Sequence, residues 1–136
     1  MKSLIVPAEE EKLNEIMDFV METIEGHEPD DETSMQLELA IEEIFVNIVS
    51  YAYSPKTGDV EICAEMTEDP PELVITFADS GVPFNPLEKE EADTSPEALE
   101  EREGGLGIYM IRQLMDEVAY IHEDGKNILR IRKRLT

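Results

Sequence analysis

With 136 residues, 41% of them hydrophobic, the chain has material for one domain around one core, and a second independent domain is not expected. Eleven Lys and Arg against 33 Asp and Glu leave a net charge of −22, a field that repels a phosphate backbone, so nucleic acid is not an expected partner. No run approaches the ~18 apolar residues of a membrane span, the N-terminus lacks a signal-length apolar stretch, and the lone Cys63 excludes an internal disulfide or a thiolate-rich zinc site; the expectation is a cytoplasmic protein that touches no membrane.

Ser3 to Val6 is a short apolar run closed by Pro7, which reads as an edge strand because proline donates nothing to a ladder. From Ala8 to about Glu25, Leu13, Ile16, Met17, Val20 and Ile24 recur at spacings of three and four, and Gly26 closes the segment; this predicts an amphipathic helix. Pro29-Asp30-Asp31-Glu32-Thr33 places acids at a second helix start, and Leu37, Ile41, Ile44, Phe45 and Ile48 carry that helix to about Tyr51, before the turn-forming Ser54-Pro55-Lys56-Thr57-Gly58. Val60–Met66 alternates in polarity and Leu73–Phe77 is more continuously apolar, so the two read as a hairpin with Cys63 as a small buried strand residue.

After Ala78-Asp79-Ser80-Gly81 comes a loop of roughly two dozen residues, a length that usually serves a purpose. Positions 88–103 hold eight acids against Lys89 and Arg102, so part of the loop reads as a solvated helix within a mobile segment. Gly104-Gly105-Leu106-Gly107 then opens a helix through Ile108, Ile111, Leu114 and Met115. Val118–His122 and Asn127–Arg134 close the chain as strands joined at Asp124-Gly125, a hairpin signal. The order β-α-α-β-β-loop-α-β-β predicts an α+β fold, a two-layer α/β sandwich with a mostly antiparallel sheet covered on one face by helices.

Three separated segments carry the chemistry. Glu43 and Asn47 lie four apart on a helix, about 40° apart around its axis, so a carboxylate and an amide oxygen can address one magnesium ion or one water to be activated. A solvent-facing Glu-Asn pair remains the bland alternative. Asp79-Ser80-Gly81 sits at a strand end, where an acid can accept from an exocyclic amine while glycine lets the backbone approach a flat ring; a plain turn is its alternative. Gly104-Gly105-Leu106-Gly107 offers backbone N–H groups and a helix dipole to phosphate oxygens, or else is helix-start geometry without a ligand. The three in this order are harder to explain separately.

Glu38–Val49, Asp79–Pro86 and Gly104–Ile111 resemble the N-box and the two glycine boxes of Bergerat-fold ATPases, the superfamily of gyrase, the ninety-kilodalton heat-shock protein, histidine kinases and mismatch-repair ATPases. The length and the Asp-x-Gly-x-Pro-Phe form are most similar to anti-sigma-factor serine protein kinases. The resemblance implies ATP and magnesium as cofactors, with Glu43 as the general base for a serine hydroxyl and Asn47 as the magnesium ligand. Asp79 would take the adenine amino group, Gly81 would pack near the base, and Gly105 and Gly107 would line the phosphates. Phe84, Arg102, Gly104 and Leu106 complete the implied nucleotide-binding set, and residues 87–103 would be the ATP lid. The implied partners are a sigma factor and a small antagonist protein, and a homodimer stays open. The chain departs from the pattern in Tyr51, where many relatives carry histidine, in Pro83, which replaces a glycine, and in having no cation immediately before Gly104.

These residues leave two functions of different class: a serine protein kinase that also sequesters a sigma factor, or a catalytically weak or inactive nucleotide-binding module that captures a partner. An acidic mimic of nucleic acid ranks below both. His27 and His122 have no metal-ligand spacing and read as surface residues. The methionines of the helices read as core filler, and Arg130, Arg132 and Arg134 form a stripe that can neutralise the protein's own acids or dock an acidic partner.

Overall fold

The computed structural model describes residues 2–27, 29–52, 58–68, 70–83 and 105–135, with Tyr51 and residues 105–108 described by backbone alone. In chain order the elements are β1 (Lys2–Pro7), a 3-10 turn (Glu10–Lys12), α1 (Leu13–Thr23), α2 (Asp31–Asn47) and a π-helical turn (Ile48–Ala52). There follow β2 (Asp59–Thr67), β3 (Glu72–Asp79), α3 (Gly105–Leu114), β4 (Glu117–Glu123) and β5 (Lys126–Arg134). The strands form one sheet in the order β1-β2-β3-β5-β4, and every neighbouring pair is antiparallel.

Alternation along the strands decides which face the helices cover. Val60 and Ile62 of β2, Leu73, Ile75 and Phe77 of β3, and Leu129 and Ile131 of β5 are buried and pack in one cluster with Ile16 and Val20 of α1, Leu37, Ala40, Ile41, Ile44 and Phe45 of α2, and Ile111 of α3. This is the expected two-layer α+β sandwich. The edges of the sheet are the first strand, β1, ending at Pro7, and the last but one, β4, while the final strand β5 lies inside.

Local chemistry sets the boundaries. Asp30 caps α2, its Oδ1 accepting from the Thr33 amide at 2.8 Å, and that bond holds the Asp30 carboxyl below its ordinary pKa. At the far end of α3, Lys133 Nζ donates to the Leu114 carbonyl at 2.6 Å, a cation placed on the negative end of a helix. The β4–β5 turn has positive φ at both Asp124 (52°) and Gly125 (75°), the primed-turn geometry that their residue types favour.

Three details differ from the sequence reading. The second helix stops being α-helical at Asn47 and finishes as the π-helical turn. Cys63 is only half-buried, because its strand position faces away from the helices opposite Thr76; burial, and then Glu61, push its thiol pKa up. His27 is half-buried rather than superficial, with Nε2 3.1 Å from Glu68 Oε1. The arginine stripe is turned on the protein's own acids. Arg130 and Arg132 donate to the two oxygens of Glu117 at 2.9 and 3.3 Å, and Arg132 Nε lies 3.5 Å from Glu72.

Candidate functional site

Glu43 and Asn47 are both half-buried on α2, and Asn47 Nδ2 donates to Glu43 Oε1 at 3.4 Å. Their four-residue spacing stacks them on one side of the helix, as expected. The bond engages the amide nitrogen of Asn47, so its oxygen is not committed by it. Desolvation pushes the Glu43 pKa up; the Asn47 bond opposes this and neighbouring Glu42 adds to it. A carboxyl whose proton affinity is raised in this way is a stronger base than an exposed one.

Asp79 continues the inward-facing series Leu73, Ile75, Phe77 by one more step of two, so an acid falls where the pattern calls for an apolar side chain, and it is only 5% exposed. Its Oδ1 accepts from the Gly81 amide at 2.9 Å and from Asn127 Nδ2 at 3.0 Å. Asn127 lies directly across the ladder from Asp79. It was not among the residues singled out from sequence, although a signal was present: stepping back by two from Ile131 and Leu129 puts a polar residue on the apolar face of β5.

Gly81 has a packing reason to be glycine that the sequence does not disclose. A Cβ there would stand 2.2 Å from the Ala52 carbonyl oxygen, closer than any side chain tolerates. The next residue completes the contact, Val82 donating its amide to that same oxygen at 3.0 Å. The segment leaving β3 is thus fastened to the turn that ends α2, a few residues beyond Asn47. α3 packs against α2, and Gly105, Leu106 and Gly107 form its first turn. The first N–H groups of a helix have no intrahelical acceptor, so this turn offers donors to an anion. Phe84, Arg102 and Gly104, with the segment 87–103 expected to be a lid, lie outside the described residues.

Among the described residues no group of three or more His, Cys, Asp or Glu side chains is arranged to hold a metal ion. Magnesium bound through one protein oxygen, with phosphate and water completing its sphere, needs no such cage, and the oxygens of Glu43 and Asn47 are of the hard type it takes. The donor set fits the ion.

Residues 6–133 match the family model of the histidine kinase-like ATPase domain. Serine-protein kinases RsbW of Bacillus cereus and of Bacillus thuringiensis subsp. konkukian are each 36% identical over 97 residues, covering 68% of this chain and 59% of theirs. The match therefore spans less than two thirds of the length of these relatives. Among solved structures, the SiaB-SiaC complex from Pseudomonas aeruginosa superposes with a TM-score of 0.58 at 16% identity, over 98% of this chain and 89% of the other. The histidine kinase domain of the Erythrobacter litoralis EL346 blue-light activated kinase gives 0.53 at 19%, over 96% and 62%. These two show the shared fold. Together with the Glu43/Asn47 helix, the Asp79/Gly81 strand end and the glycine-started α3, the match over nearly the whole length establishes that the chain belongs to the histidine kinase-like ATPase domain family, the Bergerat-fold class.

Proposed function

We propose that the chain is one ATP-binding domain acting as a serine protein kinase, which phosphorylates a small antagonist protein and sequesters a sigma factor, with residues 87–103 as its lid. The observation that carries this reading is the half-buried Glu43 bonded to Asn47 on α2, at the helix whose end is fastened to the strand bearing buried Asp79. Similarity to serine-protein kinases supports the choice of hydroxyl acceptor.

Phosphoryl transfer between oxygens asks mainly for positioning and charge compensation. Asp79 orients the base by accepting from its amino group. The first-turn amides of α3 hold phosphate oxygens. Asn47 would hold magnesium, which when bound neutralises phosphate charge. Glu43, with its raised pKa, accepts the proton of the serine hydroxyl as that oxygen bonds to the terminal phosphorus; the bond from that phosphorus to the bridging oxygen breaks, ADP leaves with its electron pair, and the phosphoryl group ends on the serine oxygen.

Calorimetric titration with Mg-ADP tests the nucleotide part, and lack of binding at millimolar nucleotide would end the proposal. Labelled ATP with a candidate antagonist tests the kinase part: Glu43→Ala should abolish transfer, and undiminished transfer would remove Glu43 as base. The alternative, a capture module with little or no catalysis, draws on Pro83 in place of a glycine; it predicts partner retention without phosphate transfer in wild type.

A further inference from the structure

Asp79 and Asn127 are the two buried polar side chains among the described residues, 5% and 6% exposed, and they face each other where the inner face of the sheet runs out. Neither is accommodated by chance. Asn127 spends both N–H groups of its amide: one on Asp79 Oδ1 at 3.0 Å, the other on the Val82 carbonyl at 2.9 Å. Its oxygen accepts from the Tyr120 hydroxyl at 2.5 Å. Exchanging the amide's nitrogen and oxygen would set oxygen against a carboxylate and a carbonyl at once, so the network admits a single orientation.

The consequence falls on Asp79. Two donors, the Gly81 amide and Asn127 Nδ2, converge on the same oxygen, Oδ1. That fixes the plane of the carboxylate, and neither bond occupies Oδ2. An ionised carboxylate only accepts. A ligand edge meeting Oδ2 must therefore bring a donor.

We propose that Asn127, oriented by Tyr120, is the positioning residue that holds Asp79 as a fixed acceptor and so sets this site's preference for a nucleotide base with an exocyclic amine over one with an oxo group at the same place. The inference rests on the nucleotide reading above and adds to it the origin of base selectivity. An oxo base would press its acceptor on a carboxylate that is denied the freedom to turn away, and a buried acceptor left without a donor is strongly disfavoured. Asn127 acts through Asp79 and is distinct from it. It also closes the grip on Val82, whose amide is held by Ala52 on one side and whose carbonyl is held by Asn127 on the other.

The test compares Mg-ADP with Mg-IDP, whose bases differ in 6-amino against 6-oxo, by calorimetric titration of wild type, Tyr120→Phe and the near-isosteric Asn127→Asp, with thermal melting to verify that each is folded. Wild type should favour Mg-ADP by tenfold or more. Asn127→Asp, which replaces the donor with an acceptor, should bring the ratio of the two affinities close to one. Tyr120→Phe, which removes only the orienting hydroxyl, should lower the ratio severalfold and remain informative should the first variant fail to fold. A ratio unchanged in both folded variants, with both affinities falling alike, would reduce Asn127 to a structural role and overturn the proposal. So would a wild type that binds both nucleotides equally, which leaves the nucleotide reading standing. Binding of neither by wild type removes that reading and this inference with it.

Discussion

Glu43 shows how one side chain can be set against the stability of its own fold. Its pKa is raised in the folded chain, chiefly by desolvation, so the ionised form is disfavoured there relative to the unfolded chain. The stability that Glu43 allows is full below its ordinary value of 4.5 and is lost as pH rises through the higher folded value. Glu43→Gln should therefore melt at or above the wild-type temperature at pH 7, with the difference vanishing near pH 4, as differential scanning calorimetry would read. The same variant should lose about 10²–10⁴-fold in phosphate transfer, the usual span for a lost general base, while keeping Mg-ADP binding. The wild-type rate should fall with acid at a pH above the ordinary carboxylate value. Gly81 makes the converse point, since its importance is steric: Gly81→Ala puts a methyl group against the Ala52 carbonyl. The expected result is a lower melting temperature and at least tenfold weaker nucleotide binding, because Asp79 accepts from the amide of the residue that has to move.

At the scale of elements, the helices and strands were legible because each buries one face with its own period. Ile16 and Val20, or Leu37, Ile41, Ile44 and Phe45, repeat at helical spacing and are all buried; Leu73, Ile75 and Phe77 repeat at two. Phe45 is fully buried in the cluster that joins α2 to the sheet, and Phe45→Ala should cost about 3–5 kcal/mol in chemical denaturation. What could not be read was pairing between distant elements. Asp79 and Asn127 are 48 residues apart in sequence, and their contact exists because β5 was inserted between β3 and β4 in one particular register. No local window contains that information. Glu43 and Asn47 escaped this difficulty because a single helix carries both. The π-helical turn was equally hidden, since Ile48–Ala52 has nothing in its residue types that distinguishes it from a continuing α-helix.

For the whole molecule, the surplus of 22 negative charges works against compactness, and the pairs that Glu117 makes with Arg130 and Arg132 are partly exposed and worth no more than about 1 kcal/mol each. Self-repulsion outweighs them, so raising sodium chloride from about 0.01 M to about 0.15 M, which shortens the screening length from about 30 Å to about 8 Å, should raise the melting temperature; a fall would show that the pairs dominate. No helix among the described residues is long and apolar enough to cross a membrane. The turn that ends α2 ties these scales together. Wider than an α-helical turn, it presents the Ala52 oxygen to Val82, and excising any one residue of Ile48–Ala52 to restore ordinary winding would swing that oxygen by about 100°. The anchorage between the end of α2 and the segment leaving β3 thus depends on a miscount of a single residue in a coil, so exposed Ser50 should tolerate exchange of its side chain far better than this stretch tolerates any change in its length.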